Sequence, residues 1–237
     1  MYKHQTVSVV LPTFNEEKSI RKVIEDFITV PYVDEVIVVN NNASPGTRIE
    51  VAQTRARQVF ESRQGYGYAL IRGMAESKGD IIVTCEPDGT FEPKDVIKLL
   101  AYSDNFDVVL GTRTSKSCIE NGAYMPWPIR IGNIIVAKYL EYLYSGPSLT
   151  DVGCTFKLVK REVYEKIRNS LRTGDGRFSP HLMIKIISNR VPCIEIPVQF
   201  KKRIGESGYT GSIWKAAKLG FKMVLLITVQ KFKKSFH

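Results

Sequence analysis

Two carboxylates stand one residue apart in Glu86-Pro87-Asp88, directly after the apolar run Ile81-Ile82-Val83-Thr84-Cys85 and before Gly89-Thr90-Phe91. A run of that length and composition reads as a buried strand, so both carboxylates emerge at its C-terminal end. In open α/β sheets ligands bind at the C-terminal ends of the strands. Carboxylate oxygens there suit a hard divalent cation, Mg²⁺ or Mn²⁺, which can bridge to the oxygens of a diphosphate. The same residues also fit a turn that caps the next helix, because Glu-Pro and Asp-Gly both punctuate structure.

The elements that must position these groups alternate along the first half of the chain. Residues 7–11, 36–39, 59–60, 81–85 and 108–110 read as strands, and residues 16–27, 47–57, 66–77 and 93–102 as helices. In 16–27 the apolar residues Ile20, Val23, Ile24 and Phe27 recur at helical spacing. Alternating β and α predicts a mostly parallel central sheet with helices on both faces. The second half is less regular: helices over 129–144, from 161 and over 180–188, strands over 154–159 and 193–200, and a Gly-rich polar loop over 205–211. No internal repeat or long linker separates domains.

The chain has 237 residues, 43% hydrophobic and 24% charged, with a net charge of +10. That composition excludes a disordered chain. From Lys201 onward the basic residues are Lys201, Lys202, Arg203, Lys215, Lys218, Lys222, Lys231, Lys233 and Lys234, against one acid, Glu206. Charge concentrated in this way points to a localised anionic partner, phosphates or an anionic membrane, and away from nucleic acid. Residues 212–231 read as a helix with Lys215, Lys218 and Lys222 in one stripe and Trp214, Phe221 and Leu225 beside it. Such a helix fits the headgroup region of a bilayer; it also fits a helix packed on the core with a solvated lysine stripe. Lys231-Phe232-Lys233-Lys234 favours membrane contact. The four cysteines, Cys85, Cys118, Cys154 and Cys193, have no zinc or redox spacing. A reduced, cytoplasmic location is expected, peripheral on the cytoplasmic face of a membrane, and the first residues lack the apolar core of a signal peptide.

Four stretches line up along the chain: Pro12-Thr13-Phe14-Asn15-Glu16, Val38-Val39-Asn40-Asn41-Asn42-Ala43-Ser44, Gly65-Tyr66-Gly67-Tyr68-Ala69-Leu70, and Glu86-Pro87-Asp88-Gly89. With Val109-Leu110-Gly111-Thr112-Arg113, Arg130-Ile131-Gly132-Asn133, Asp151-Val152-Gly153-Cys154-Thr155-Phe156 and Arg203-Ile204-Gly205-Glu206-Ser207, the set resembles the family 2 inverting glycosyltransferases of GT-A fold. Within these it is most similar to the dolichyl-phosphate mannose synthase and polyprenyl-phosphate glycosyltransferase branch. The resemblance implies a catalytic domain over 1–211, followed by a basic amphipathic helix over 212–237. It implies that Pro12, Thr13, Phe14 and Glu16 line a pocket for the nucleotide-sugar donor, with Asn40, Gly65, Gly67, Glu86, Pro87 and Asp88 also at the donor. Asn40 stands where the family usually has an Asp. Asp88 would be the main ligand of Mg²⁺ or Mn²⁺ and Glu86 the second, while Thr90 stands where many relatives have Gln. Arg113, Arg130 and Arg203 would bind phosphate, for which the planar guanidinium fork is suited.

Asp151 would be either a base or a group that positions the acceptor, and His181 a core or surface residue. The implied activity is metal-dependent transfer of a hexose from a GDP- or UDP-sugar to a dolichyl or polyprenyl phosphate. Transfer to a glycan or protein hydroxyl, with Asp151 as general base, and a nucleotide-sugar-binding regulator without catalysis are the alternatives.

Overall fold

Strand β1 (Val7–Thr13) is buried along its whole length. Its residues are apolar on both sides, as a strand covered on both faces requires. A computed structural model, which describes residues 1–205 and 212–233, places it near the middle of a seven-stranded sheet. The others are β2 (Glu35–Asn40), β3 (Arg57–Phe60), β4 (Ile81–Thr84), β5 (Val108–Thr112), β6 (Lys157–Lys160) and β7 (Cys193–Pro197), in the order β3-β2-β1-β4-β6-β5-β7. The pairs β1–β2, β2–β3, β1–β4 and β5–β7 are parallel, with Val10 opposite Ile37 and Thr84. Strand β6 runs antiparallel to both β4 and β5. The segments that follow β1, β2, β4, β5 and β7 therefore converge with the segment that precedes β6.

Successive side chains of a strand face opposite sides of a sheet, and the core divides accordingly. Val10, Ile37, Val39 and Ile82 pack under α3 (Tyr66–Glu76), α5 (Trp127–Tyr144), α7 (Phe178–Ser188) and α8 (Ile213–Lys233). Val9, Leu11, Val38 and Val83 pack under α1 (Ile20–Thr29) and α4 (Asp95–Tyr102). Ile20, Val23, Ile24 and Phe27 are the buried face of α1, as their spacing predicts. Helices α2 (Pro45–Ala52) and α6 (Arg161–Ile167) complete the described elements.

The expected strand over 154–159 is shorter and begins only at Lys157. Asp151 Oδ1 accepts the backbone N–H groups of Gly153 and Cys154, at 2.9 and 3.0 Å, and so holds this stretch in a turn. Helix α8 has two faces. Met223 and Ile227 are buried against the core, and Tyr139 and Tyr144 of α5 bond to Thr228 and to the Ile227 carbonyl. Its outer face exposes Trp214, Phe221 and Leu225, and α5 exposes Trp127, Ile135 and Tyr142. No helix among the described residues is long and apolar enough to cross a membrane. The Gly-rich loop and Lys234 lie partly or wholly outside the described residues. All four cysteines are free thiols, and His181 is in the core.

Candidate active site

A cavity of about 1450 Å³ opens where the strand ends converge. Its polar end is lined by Pro12 and Thr13 at the end of β1, Phe14 and Glu16 after it, Glu86 and Pro87 after β4, Arg113 after β5, and Arg203 after β7. Asp88 lies just behind this surface and is fully buried. Its Oδ1 accepts the backbone N–H and the hydroxyl of Thr90, at 3.0 and 2.6 Å. Arg203 Nη1 lies 2.7 Å from Oδ2, but its angle makes no hydrogen bond, so Oδ2 holds a charge contact only. Arg203 Nη2 also reaches Glu16 Oε1, at 3.4 Å. The strand-end segment carrying Arg203 is tied to this loop, because Ile204 N–H donates to the Asp88 carbonyl at 2.9 Å.

The carboxylates crowd one another. Burial, then the charge of Asp88, pushes the Glu86 carboxyl up to about 8, although Arg113 and Arg203 pull it back. Burial pushes Glu16 up to about 7, with Arg203 opposing and Asp88 adding to the rise. A divalent cation fits this arrangement: Asp88 Oδ2 is buried without a hydrogen bond, and the neighbouring carboxylate is short of positive charge. Asp88 and Glu86 would hold it. Among the described residues no group of three His, Cys, Asp or Glu side chains is arranged to cage a metal. Diphosphate and water oxygens would therefore complete the coordination, as is usual for Mg²⁺.

Arg113 and Asp151 form a different pair. Arg113 Nε and Nη2 donate to the two carboxylate oxygens at 2.8 and 2.9 Å, and its backbone N–H donates to Oδ2 at 3.1 Å. With Gly153 and Cys154 on Oδ1, both oxygens are saturated. Burial alone would raise the Asp151 carboxyl, but Arg113 outweighs it and holds it below the usual range. The backbone around it is fixed by Glu195, which accepts Asp151 N–H at 2.9 Å and Thr150 N–H at 2.7 Å. The guanidinium lies over the Phe200 ring and faces the cavity. Asp151 itself does not line it. Its geometry is that of a group positioning Arg113, not of a free base.

Three of the expected site residues lie off the cavity wall. Asn40 does not line the cavity, because its Oδ1 accepts Ala43 N–H at 2.8 Å and closes the turn after β2. Its neighbour Asn41 lines it and pins the next loop, donating to the Glu61 and Arg63 carbonyls and accepting from Gly65 N–H. Gly67 does not line the cavity, although Gly65 does. A Cβ on Gly65 or Gly67 would come within 2.3 Å of the Gly174 carbonyl or 2.2 Å of the Thr173 carbonyl. Both glycines thus admit the segment before α7, which bonds Gly67 N–H through Gly174 O at 2.8 Å. Arg130 is half-buried on α5 and absent from the cavity wall, whereas Asn133, one turn along, lines it. Tyr66, Gly153, Thr155 and Ser179 also line the cavity without having been singled out individually by sequence reasoning. Their residue types are those of ordinary core and loop positions. The apolar end of the cavity is formed by α5 and α8, through Ile129, Val136, Ala216 and Gly220.

The model of glycosyl transferase family 2 matches residues 8–168, more than half of the chain. A dolichyl-phosphate hexose transferase of Haloferax volcanii is 27% identical, over 87% of this chain and 87% of its own. A glycosyltransferase of Mycobacterium tuberculosis, itself uncharacterised, is 33% identical over 87% of this chain and 91% of its own. Among solved structures, glucosyl-3-phosphoglycerate synthase from M. tuberculosis with Mn²⁺, UDP and glucosyl-3-phosphoglycerate superposes with a TM-score of 0.71 at 20% identity, covering 96% of this chain and 80% of that one. The same enzyme with Mg²⁺ and UDP gives 0.70 at 21% identity, covering 96% and 79%. The sheet order, the strand-end carboxylates and these matches agree: the chain belongs to glycosyl transferase family 2 and is a glycosyltransferase of GT-A fold.

Proposed function

We propose that the chain transfers a hexosyl group, with inversion, from a nucleoside-diphospho-sugar to a dolichyl or polyprenyl phosphate at a membrane surface. The state of Asp151 carries this reading. Transfer to a hydroxyl needs a base within reach of the acceptor proton, and the oxygens of Asp151 are all engaged by N–H donors. A phosphate acceptor is ionised at neutral pH and needs no strong base. Arg113, with Nη1 outside the Asp151 clamp, presents a fixed cation to such a phosphate. The Haloferax relative, named for dolichyl-phosphate hexose transfer, supports the same acceptor class.

On this reading Pro12, Thr13, Phe14 and Glu16 form the wall for the nucleoside. Arg203 leaves Asp88 for the diphosphate, exchanging one anion for another. Asp88 and Glu86 would hold Mg²⁺ or Mn²⁺, which would supply positive charge to the leaving diphosphate. The acceptor's prenyl chain follows the apolar end of the cavity toward α5 and α8. Their exposed Trp127, Ile135, Tyr142, Trp214 and Phe221 insert at the interface, and Lys215, Lys218 and Lys222 meet anionic headgroups. The location is then the cytoplasmic face of a membrane.

The test combines full-length protein, Mn²⁺, anionic vesicles carrying polyprenyl phosphate, and radiolabelled UDP-glucose or GDP-mannose. The expected result is label in the organic extract, and protein that sediments with vesicles at low salt and less at high salt. Label passed only to water-soluble acceptors would overturn the lipid reading. Protein that stays in the supernatant at both salts would overturn the membrane contact.

A further inference from the structure

Arg203 divides one guanidinium between two carboxylates. Its Nη1 lies 2.7 Å from Asp88 Oδ2, and its Nη2 lies 3.4 Å from Glu16 Oε1. The contact with Asp88 lacks the angle of a hydrogen bond, and Arg203 Nε is buried without a partner. A guanidinium bonds most strongly as a fork, with two parallel N–H groups on two oxygens of one anion. Arg113 achieves this on Asp151 and Arg203 does not. Arg203 is therefore held on Asp88 by charge and not by fit.

The backbone that carries Arg203 is fixed on both sides. Ile204 N–H donates to the Asp88 carbonyl at 2.9 Å, and Lys201 N–H donates to the Thr90 carbonyl at 2.7 Å. The rings of Phe200 and Phe91 pack edge to face, with centroids 5.8 Å apart. Gly89, at φ +77°, leaves room for Ile204, since a Cβ there would lie 3.0 Å from Ile204 Cδ1. Residues 200–204 are thus sewn onto the loop 88–91. Any exchange of partners is confined to the Arg203 side chain, which lines the cavity and is 25% exposed.

Arg203 Nη1 lies against the Asp88 oxygen that a divalent cation would need. A cation arriving alone would also meet the guanidinium as a like charge. The oxygens of a diphosphate offer the fork a better partner, Nε included, and so draw Arg203 off Asp88. We propose that Arg203 couples the two ligands: it keeps a divalent cation off Asp88 until a diphosphate takes the guanidinium, so that cation and diphosphate are held together or only weakly. The assignment rests on the transferase reading above. Toward the cation Arg203 is a positioning residue, acting through Asp88. Linkage makes the coupling reciprocal, each ligand strengthening the other by the same factor.

The test measures Mn²⁺ binding by electron paramagnetic resonance on the full chain, alone and with UDP or GDP, corrected for Mn²⁺ on free nucleotide. Urea denaturation confirms the fold of each variant. Arg203→Gln removes the charge, and Mn²⁺ without nucleotide should then bind about tenfold more tightly, the low end of what one adjacent charge does to a proton on a carboxylate. Binding of the diphosphate in the presence of Mn²⁺ should weaken by about tenfold, as a charge-assisted bond is lost. Arg203→Lys keeps the charge without the fork, so its affinity for Mn²⁺ alone should stay close to that of the unmodified chain. In the unmodified chain the diphosphate should strengthen Mn²⁺ binding by about a hundredfold, a measurement that needs no variant. Equal Mn²⁺ affinity with and without bound diphosphate would overturn the coupling. So would an Arg203→Gln protein that binds Mn²⁺ alone no more tightly, or Gln and Lys variants that bind it alike. An unmodified chain that binds neither UDP nor GDP with Mn²⁺ present would overturn the transferase reading and this assignment with it.

Discussion

Asp88 and Asp151 are both fully buried, both lie at the same end of the sheet, and both face an arginine. They differ in what is left over once their partners are accounted for. Asp151 accepts two bonds from the Arg113 side chain and three from backbone N–H groups, and neither oxygen is open. Asp88 gives Oδ1 to Thr90, while Oδ2 meets Arg203 without a hydrogen bond. Burial and an opposite charge are therefore not enough to identify a ligand-binding carboxylate. The unused lone pairs separate the group that builds the site from the group we propose serves the substrate.

Breaking the saturated pair should have the largest effect, and on stability. Asp151→Asn leaves the Arg113 guanidinium buried without its counter-charge, which costs about 3–5 kcal/mol. Urea denaturation reads this directly, and transfer should fall with it because Arg113 loses its support. A variant of native stability that has lost all transfer would instead make Asp151 a base and reverse the comparison.

Asp88→Asn should act on turnover, lowering it by about 10²–10³-fold, the loss typical of removing one electrostatic stabiliser from an active site. Stability should stay near that of the unmodified chain, since the change also relieves repulsion with Glu86. Transfer rates together with a thermal-shift response to Mn²⁺ plus nucleotide check both halves. Near-normal turnover in the folded variant would remove Asp88 from the metal. Glu86→Gln ranks the two ligands: a loss of about tenfold fits a secondary ligand, and a loss equal to that of Asp88→Asn would make the pair equivalent.

The sequence carried the strands 7–11, 36–39, 81–85 and 108–110 plainly, because a strand buried on both faces must be apolar throughout. It also carried Glu86 and Asp88, which a strand of known end must deliver together. The antiparallel insertion of β6 between β4 and β5 was not legible, since it lies in the pairing of strands and not in the pattern of any one. Asn40 and Asn41 are chemically identical neighbours, and only the turn after β2 decides which of them reaches the cavity. Arg130 and Asn133 sit one helical turn apart, so the approach of α5 to the loop at Gly153 selected between them.

His181 sharpens the comparison from outside the site, where the expected effect is smallest. Both of its ring nitrogens are buried without partners, yet it does not line the cavity. An unpaired buried group away from a cavity has no ligand to wait for, and its consequence is a stability that depends on pH. Burial first, and the nearby charge of Lys185 second, push its pKa from the ordinary 6.5 down to about 4. The unfolded chain takes up this proton near pH 6.5 and the folded chain only near pH 4, so the folded state binds fewer protons in between. Its contribution to stability is complete above pH 6.5 and is lost as the pH falls toward 4. His181→Leu removes the titrating group and keeps an apolar side chain in the core. Between pH 7 and pH 5 the unmodified chain should therefore lose about 2 kcal/mol more unfolding free energy than His181→Leu, with transfer at pH 7 unaffected by the change. Parallel stability curves for the two proteins across that range would show that the ring is protonated as readily folded as unfolded, and that its nitrogens find partners in solution.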